Sequence, residues 1–589
     1  MRSLDTAKPF VLLDDARPGS DAHAHLYREP LDEIVARHPS EIYPALEHMR
    51  AESRKGRYLA GYIGYEAGLA LEDRLTPLTT RPAKAPLLWF GVFDNVEPLG
   101  KGDLEALLGD PEGAWAGTPA PRIRLEDYRA AVAILLDFIA AGDIYQANYT
   151  FPTDVAFAGT PPALYARLRN AGGAGWGGVI HDGHNWLLSC SPELFFTLEE
   201  GKLTARPMKG TLPASGDPDV LRSDTKQRAE NLMIVDLIRN DLSRVATPGS
   251  VAVPRLFEIE SYPTVHQMTS TVTASLRADC DAIDVVASLF PCGSVTGAPK
   301  IRAMELIGLL ELEERGPYTG SIGHVDPDGN AAFNVAIRTL MIPERSRSAV
   351  MGLGSAIVAD SVPDAEWSEC LAKGRFVTAS ATPFDLVETM KFDAEEGLIR
   401  LERHLVRLRA SAATLGFTCD RHALRNELQA ATFRLHRDCR VRMRLSPTGA
   451  VAIEVTDMPP TPFIADVMLV RRPVPRDDFR LLHKTSDRSF YDRARNAAGT
   501  FEVALVDDDG FLTEGSFTNI FVMRDGKLVT PPLARRLLAG VLREELIEEG
   551  KAIEGELCAT DLEGEFLIGN ALRGLIPARL VAGANEAGL

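Results

Sequence analysis

An α+β fold in two successive units is predicted for this chain, and three observations predict it. Its 589 residues exceed what one hydrophobic core can serve. Short apolar runs of strand type are mixed with longer amphipathic segments along the whole length. Near residue 380 the stretch FVTASATPFDLVETM (376–390) interrupts the pattern with small residues and Pro383, and a new strand-like run begins. The expected boundaries are 1–378 for the first unit, 379–383 for a linker and 384–589 for a smaller second unit.

The elements follow in order. YLAGYIGYEAG (58–68) and APLLWFGVFD (85–94) read as strands between loops rich in Gly, Pro and Ala. From residue 125 an amphipathic helix runs until Gly142 and Asp143 break it. Strand-like runs fill 185–208, and DTKQRAENLMIVDLIRNDLSRV (224–245) is a long helical stretch. In the second half, RVRMRLSPTGAVAIEV (440–455) and FTNIFVMRDGKLVTPP (517–532) carry strands. The helix RLERHLVRLRASAATLGF (400–417) sets Leu401, Leu405 and Leu408 on one side.

Bulk properties narrow the function. A net charge of −18 and a pI near 5.3 argue against a general nucleic-acid binder, so an anionic substrate needs local cations. Seven cysteines without a C-x-x-C pair indicate neither a disulfide framework nor a zinc knuckle. The N-terminal apolar run is too short for a signal peptide, and no stretch approaches the ~18 apolar residues of a membrane span. A soluble, cytoplasmic protein is expected.

In ARPMKGTLP (205–213), Lys209 lies between a proline-stiffened strand and a glycine that permits close approach. SPELFF (191–196) places Glu193 before an apolar strand, and RAENLMIVDLIRND (228–241) places Glu230 on a helix built for burial. DAEWSECLAKG (364–374) spaces Glu366, Glu369 and Lys373 along one helical face, behind Pro363 at its first turn. GSVTGAPK (293–300) is a Gly/Thr loop leading into a helix, which suits a carboxylate or phosphate. Singly, each of these has a plainer reading as a turn or a solvated face.

Together, and with GYIGYE (61–66), GDIYQANYT (142–150), GSIGH (320–324), AIRTL (336–340) and GSAIVADS (354–361), they make residues from about 10 to 377 resemble the chorismate-utilising enzymes. That family includes anthranilate, aminodeoxychorismate, isochorismate and salicylate synthases. The resemblance implies a large α+β sandwich with its site in a central cleft. It implies a nucleophilic role for Lys209, where anthranilate synthases generally have a small residue, with Glu193 as general acid/base for the departing C4 hydroxyl. It further implies Mg²⁺ bound by Glu230 and Glu369, and substrate carboxylates gripped by Thr296, Arg338, Lys373 and the backbone of Gly354 and Ser355. One departure stands in TVHQMTS (264–270): the position where many relatives carry histidine falls on Gln267, with His266 one place earlier.

The second half carries HKTSDRSFYDRAR (483–495), LTEGSFTNIF (512–521) and LIGNALRGLIP (567–577). This ordered set resembles the fold-type IV pyridoxal phosphate enzymes, which include branched-chain and D-amino-acid aminotransferases and aminodeoxychorismate lyase. The resemblance implies two small α/β subdomains with the cofactor between them. It further implies that Lys484 carries the cofactor, that Glu514 pairs its pyridine nitrogen, that Arg407 of the H-x-x-R-L pattern binds its phosphate, and that Asn570 lies near phosphate donors at 540–542 and 569–571. Arg442 and Arg444, on one strand face, are the expected substrate-carboxylate grips. The usual opening of that family is reduced here to ATPFDLVETM (381–390).

Lyase and aminotransferase share these motifs. The fusion favours a lyase, and with it synthesis of 4-aminobenzoate for folate. Other readings are an anthranilate synthase joined to an aminotransferase, and a non-catalytic chorismate-binding scaffold. No glutaminase-like G-x-C-x-G is present. The expected partners are therefore chorismate, a separate glutamine amidotransferase supplying ammonia, and a second copy of the chain through the C-terminal unit.

Overall fold

Two broad sheets, formed mainly by antiparallel strands, build the first unit. The computed structural model describes residues 6–17, 24–78, 85–213, 216–261, 265–344 and 346–581. The N-terminal residues 1–5 and Thr264 of TVHQMTS lie outside the described residues. One eleven-stranded sheet begins at the short edge strand Gly297–Ala298 and continues through Gln146–Ala158 and Ser348–Ile357. The other, ten-stranded, begins at the edge strand Met208–Pro213 and continues through Val265–Ser275 and Lys202–Arg206. The GSVTGAPK loop and Lys209 thus each occupy a sheet edge.

Between the sheets lies an aromatic layer. Tyr27, Ile180 and Leu187 from one sheet meet Tyr62, Trp89 and Phe93 from the other. Strand Asn185–Ser191, NWLLSCS, is buried at every position, as a strand covered on both faces must be. Helices Ile42–Arg54, Thr225–Ser243 and Ala282–Leu289 cover the outer face of the ten-stranded sheet with their apolar stripes. Asp224 caps the second of them, its carboxylate accepting from the amides of Lys226 and Gln227. The architecture is the α+β sandwich expected.

The second unit combines a four-stranded antiparallel sheet (Leu386–Asp393, Cys439–Leu445 and their neighbours) with a seven-stranded mixed sheet, each with its own apolar core. Its main body begins at Ala381, but Glu112–Gly117 and Ala156–Leu164 also belong to it. A boundary at 378 places both segments in the first unit. Packing explains the difference. The Trp115 ring lies 5.7 Å from Phe384 and 6.0 Å from Phe417, and Ala158 joins the same core. Trp115→Ala is expected to cost the second unit about 3–5 kcal/mol through the cavity left behind. Chemical denaturation followed at the second unit's own signals measures this, and a shift below ~1 kcal/mol would show that the ring is dispensable.

Candidate active sites

Lys209 follows Met208 on its edge strand, and Gly210 after it takes φ 88. A Cβ at Gly210 would stand 3.1 Å from the Gln227 side chain and 3.2 Å from Leu221, so glycine meets both the conformation and the space. Glu193, 5% exposed, accepts a hydrogen bond from the Ser294 hydroxyl at 2.8 Å. Its own amide donates to Ser191 Oγ (3.2 Å), which in turn donates to the Val335 carbonyl (2.6 Å). The GSVTGAPK loop thus holds the Glu193 carboxyl, while strand Asn185–Ser191 holds its backbone.

The charges form one interacting group. Burial pushes the Lys209 amine below its ordinary range and the neighbouring Lys373 ammonium adds to this, against Glu193, Glu230 and Glu369. Burial pushes Glu193 up, against the Ser294 hydrogen bond and the Lys209 charge. Burial also raises Glu230, opposed first by Lys209 and then by Lys226, with Glu369 adding to the rise. At Glu369 burial acts upward too, but Lys373 and Lys209 more than offset it and the carboxylate is held low.

Lys373 Nζ lies 2.8 Å from Glu369 one turn back and donates to the Gly354 carbonyl at 3.0 Å. That contact ties helix Pro363–Gly374 to strand Ser348–Ile357. Gly354 itself passes so close to the neighbouring strand that a Cβ would fall 2.6 Å from the Tyr149 carbonyl. The structure therefore brings Lys209, Glu193, Glu230, Glu369, Lys373 and Gly354 together.

The remaining expected residues differ. Arg338 adopts φ 50, a left-handed conformation rare outside glycine and typical of functional sites. Its carbonyl accepts from Cys190 N at 3.0 Å. Its guanidinium opposes the burial that pushes the Cys190 thiol up to about 12. The Thr296 hydroxyl turns back on its own loop, donating toward the Gly293 carbonyl at 3.1 Å. Ser355 Oγ sits 3.2 Å from the Tyr128 hydroxyl. Both hydroxyls are thus engaged within the protein, and the Thr296 backbone is too, its amide donating to the Gly293 carbonyl (3.2 Å) and its carbonyl accepting from Asn148 N (2.7 Å). Glu366 accepts from Ser361 at 2.8 Å. His266 Nδ1 lies 2.8 Å from Ser261 Oγ, while Gln267 is in register with Thr211. Being adjacent on a strand, they face opposite ways. Among the described residues no cluster of three or more His, Cys, Asp or Glu could hold a metal. Glu230 and Glu369 offer two hard oxygen donors, and a dication would relieve their mutual repulsion.

In the second unit a cavity of about 540 Å³ opens between its two sheets, lined by Val387 and Arg442 from one and by Asn519 and Asn570 from the other. Lys484 reaches it. Burial first, then Arg407, pulls its amine down to about 7. The Lys484 carbonyl accepts from Val387 N at 2.8 Å, fixing the lysine's backbone to the four-stranded sheet. Arg407 donates to both oxygens of Glu388 (2.9 and 2.6 Å) and to the Ala539 carbonyl (3.0 Å). His404 Nδ1 lies 2.6 Å from the same Glu388, whose side chain is 1% exposed. Burial acts to raise Glu388, but Arg407 and His404 overcome it and hold the carboxylate well below the usual range.

Glu514 accepts from the Tyr491 hydroxyl and from Leu538 N, and burial pushes it up to about 7. Asn570 lines the cavity with its amide committed: Nδ2 donates to the Phe517 carbonyl (3.2 Å), and Oδ1 accepts from Leu572 N (3.0 Å) and Arg573 N (2.9 Å). Arg442 faces the cavity, whereas Arg444 pairs with Asp385 at 2.6 Å and does not line it. His404 Nε2 and the Nε of Arg440, Arg442 and Arg573, buried polar atoms without hydrogen-bond partners among the described residues, border this space. A cationic wall, a lysine losing its proton near neutrality and a half-protonated carboxyl suit an anionic aromatic cofactor such as pyridoxal phosphate.

The sandwich with its acid and lysine group defines the class: the chain belongs to the chorismate binding enzyme family, which it matches over residues 8–379. Residues 385–581 match a second family, Amino-transferase class IV. Among curated relatives, the chain is similar to a 2-amino-4-deoxychorismate synthase of Streptomyces globisporus, 41% identical over 45% of this chain and 57% of that one. It is also similar to aminodeoxychorismate synthase component 1 of Escherichia coli (strain K12), 39% identical over 53% of this chain and 74% of that one. The chain thus spans little more than half of the Streptomyces relative and about three quarters of the Escherichia one. The crystal structure of anthranilate synthase component I from Streptococcus pneumoniae TIGR4 shares the fold, with a TM-score of 0.52 and 24% identity, covering 60% of this chain and 92% of that one. No helix among the described residues is long and apolar enough to cross a membrane.

Sequence reasoning passed over Ser294, Glu388, His404 and Tyr491. Ser294 stood inside a quoted motif. The H-x-x-R spacing put His404 and Arg407 on one helical face, a signal that a buried acid should stand opposite.

Proposed function

We propose that the chain makes 4-aminobenzoate in two steps, amination of chorismate at C4 followed by elimination of pyruvate. The observation that carries the reading is Lys209, an amine with a lowered pKa set among Glu193, Lys373, Glu230 and Glu369. Neutral Lys209 attacks C2 of the ring diene, the double bonds shift, and the C4 hydroxyl leaves with a proton from Glu193 as water. Ammonia then adds at C4 and the shift reverses, releasing the lysine amine at C2. Glu230 and Glu369 would hold Mg²⁺ against the ring carboxylate, and Arg338 with Lys373 would receive carboxylate charge. The Escherichia relative is named a component 1, which supports a separate subunit, a glutamine amidotransferase, as the ammonia source.

In the second unit Lys484 would carry pyridoxal phosphate, with Arg407 at its phosphate and Glu514 at its ring nitrogen. Bound there, the cofactor would supply an electron sink for the carbon that loses its proton. Lys484 moves that C4 proton, the enolpyruvyl oxygen leaves C3, and the ring becomes aromatic. Glu388 keeps Arg407 aimed into the cavity throughout. Incubation with chorismate, ammonium and Mg²⁺ is expected to yield 4-aminobenzoate and pyruvate. Lys484→Ala is expected to accumulate 4-amino-4-deoxychorismate instead. Detection of 2-aminobenzoate or 2-amino-4-deoxychorismate as the product would overturn the reading.

A further inference from the structure

The wall of the second unit's cavity holds more positive charge than a phosphate requires. Seven arginines line it, and most are neutralised within the protein. Arg407 pairs with Glu388, Arg480 with Asp478 at 2.7 Å, Arg495 with Asp492 at 2.9 Å, and Arg440 lies 3.8 Å from Glu454. Arg488 donates to the Ser516 carbonyl. Arg442 and Arg573 differ: among the described residues neither guanidinium has an ion pair or hydrogen bond, and each has its Nε buried. Unpaired buried donors of this strength are costly, and proteins retain them where a ligand completes them.

Their placement separates them. Arg442 is close enough to Lys484 to help depress its amine. Arg573 stands by Arg440 and Arg495, with its guanidinium 5.8 Å from the centre of the Phe501 ring and 5.5 Å from that of Phe517. The Asn570 carboxamide fixes the turn that presents it, accepting from the amide of Arg573 itself. A guanidinium braced by two rings and a fixed turn has given up its rotamer freedom before a ligand arrives.

We propose that Arg573 and Arg442 form a pair of carboxylate subsites, so that the cavity takes amines carrying two carboxylates and discriminates against monocarboxylic amino acids. This rests on the cofactor reading of the second unit, with Arg407 engaged by the phosphate, and it names the residues that would hold the two carboxylates of the aminated intermediate. Guanidinium forks match carboxylates bidentately, and each lost match weakens binding by roughly ten- to a hundred-fold.

The test titrates the cofactor-loaded full chain with benzene-1,3-dicarboxylate and, separately, with benzoate. The cofactor's visible absorption is followed, so that only the second unit reports. Wild type is expected to bind the dicarboxylate at least about ten-fold more tightly, Arg573→Met to bring the ratio near one, and Arg573→Lys to restore part of it. Equal affinities in wild type, or an unchanged ratio in Arg573→Met with its absorption intact, overturn the proposal. Should Arg573→Met fail to load cofactor, Arg573→Lys decides: an undiminished ratio there overturns the proposal and a reduced one supports it. Release of pyruvate from supplied 4-amino-4-deoxychorismate is scored separately. Its absence, with the dicarboxylate preference intact, would sink the lyase reading and leave the subsites standing.

Discussion

Lys209→Ala loses amination of chorismate by about a thousand-fold or more, while pyruvate release from supplied 4-amino-4-deoxychorismate stays at the wild-type rate. A thousand-fold corresponds to ~4 kcal/mol of barrier, reasonable for deleting a covalent nucleophile. The pH profile carries the same signature. Burial and Lys373 lower the Lys209 pKa, so the reactive neutral amine appears at lower pH than for a free lysine, and the rate climbs as that proton leaves. Glu193, shifted the opposite way, must keep its proton to serve the hydroxyl, which gives a descending limb. Because the two groups interact, the limbs report the pair rather than either residue. Lys209→Ala removes the ascending limb. A variant retaining more than a tenth of wild-type amination would exclude the lysine as nucleophile.

Glu388→Gln destabilises the second unit by about 3–5 kcal/mol, the usual consequence of leaving a buried cation, here the Arg407 guanidinium, without its anion. Arg407 and His404 both lean on this one carboxylate. The sign with pH follows from its lowered folded value. The contribution is complete above the ordinary glutamate range near ~4.3 and is lost as pH falls below it. Denaturation of wild type and variant should therefore differ most at neutral pH and converge in acid. Cofactor affinity falls in parallel, since an unanchored Arg407 no longer points one way. A midpoint within ~1 kcal/mol of wild type would show that the carboxylate is not the anchor described.

Much of the first site was readable because its chemistry sits in short segments. PMKGT, SPELFF and the acidic helix each set one group on one element, and the fold only had to bring the elements together. What escaped was whatever depends on distant pairing. Glu388 sits in an alternating strand, where a glutamate reads as the wet face until His404 and Arg407 cover it. Thr296 and Ser355 were legible as positions but not as orientations, because the Thr296 hydroxyl folds back on its own loop and the Ser355 hydroxyl answers to Tyr128 on a helix far away in sequence. Arg444 shares a strand face with Arg442, yet Asp385, near the start of the second unit, claims it. Periodicity assigns a face; it does not say what stands opposite.

Trp115 and Ala158 precede Ala381 by more than two hundred residues, yet they furnish the interior of the C-terminal half. Severing the polypeptide at residue 380 would hence not yield two whole folding units. The downstream fragment would lack part of its own hydrophobic interior, and the upstream fragment would carry a tryptophan parted from the rings it packs against. The C-terminal half is thus assembled from three stretches of chain, two of them encoded far upstream of it.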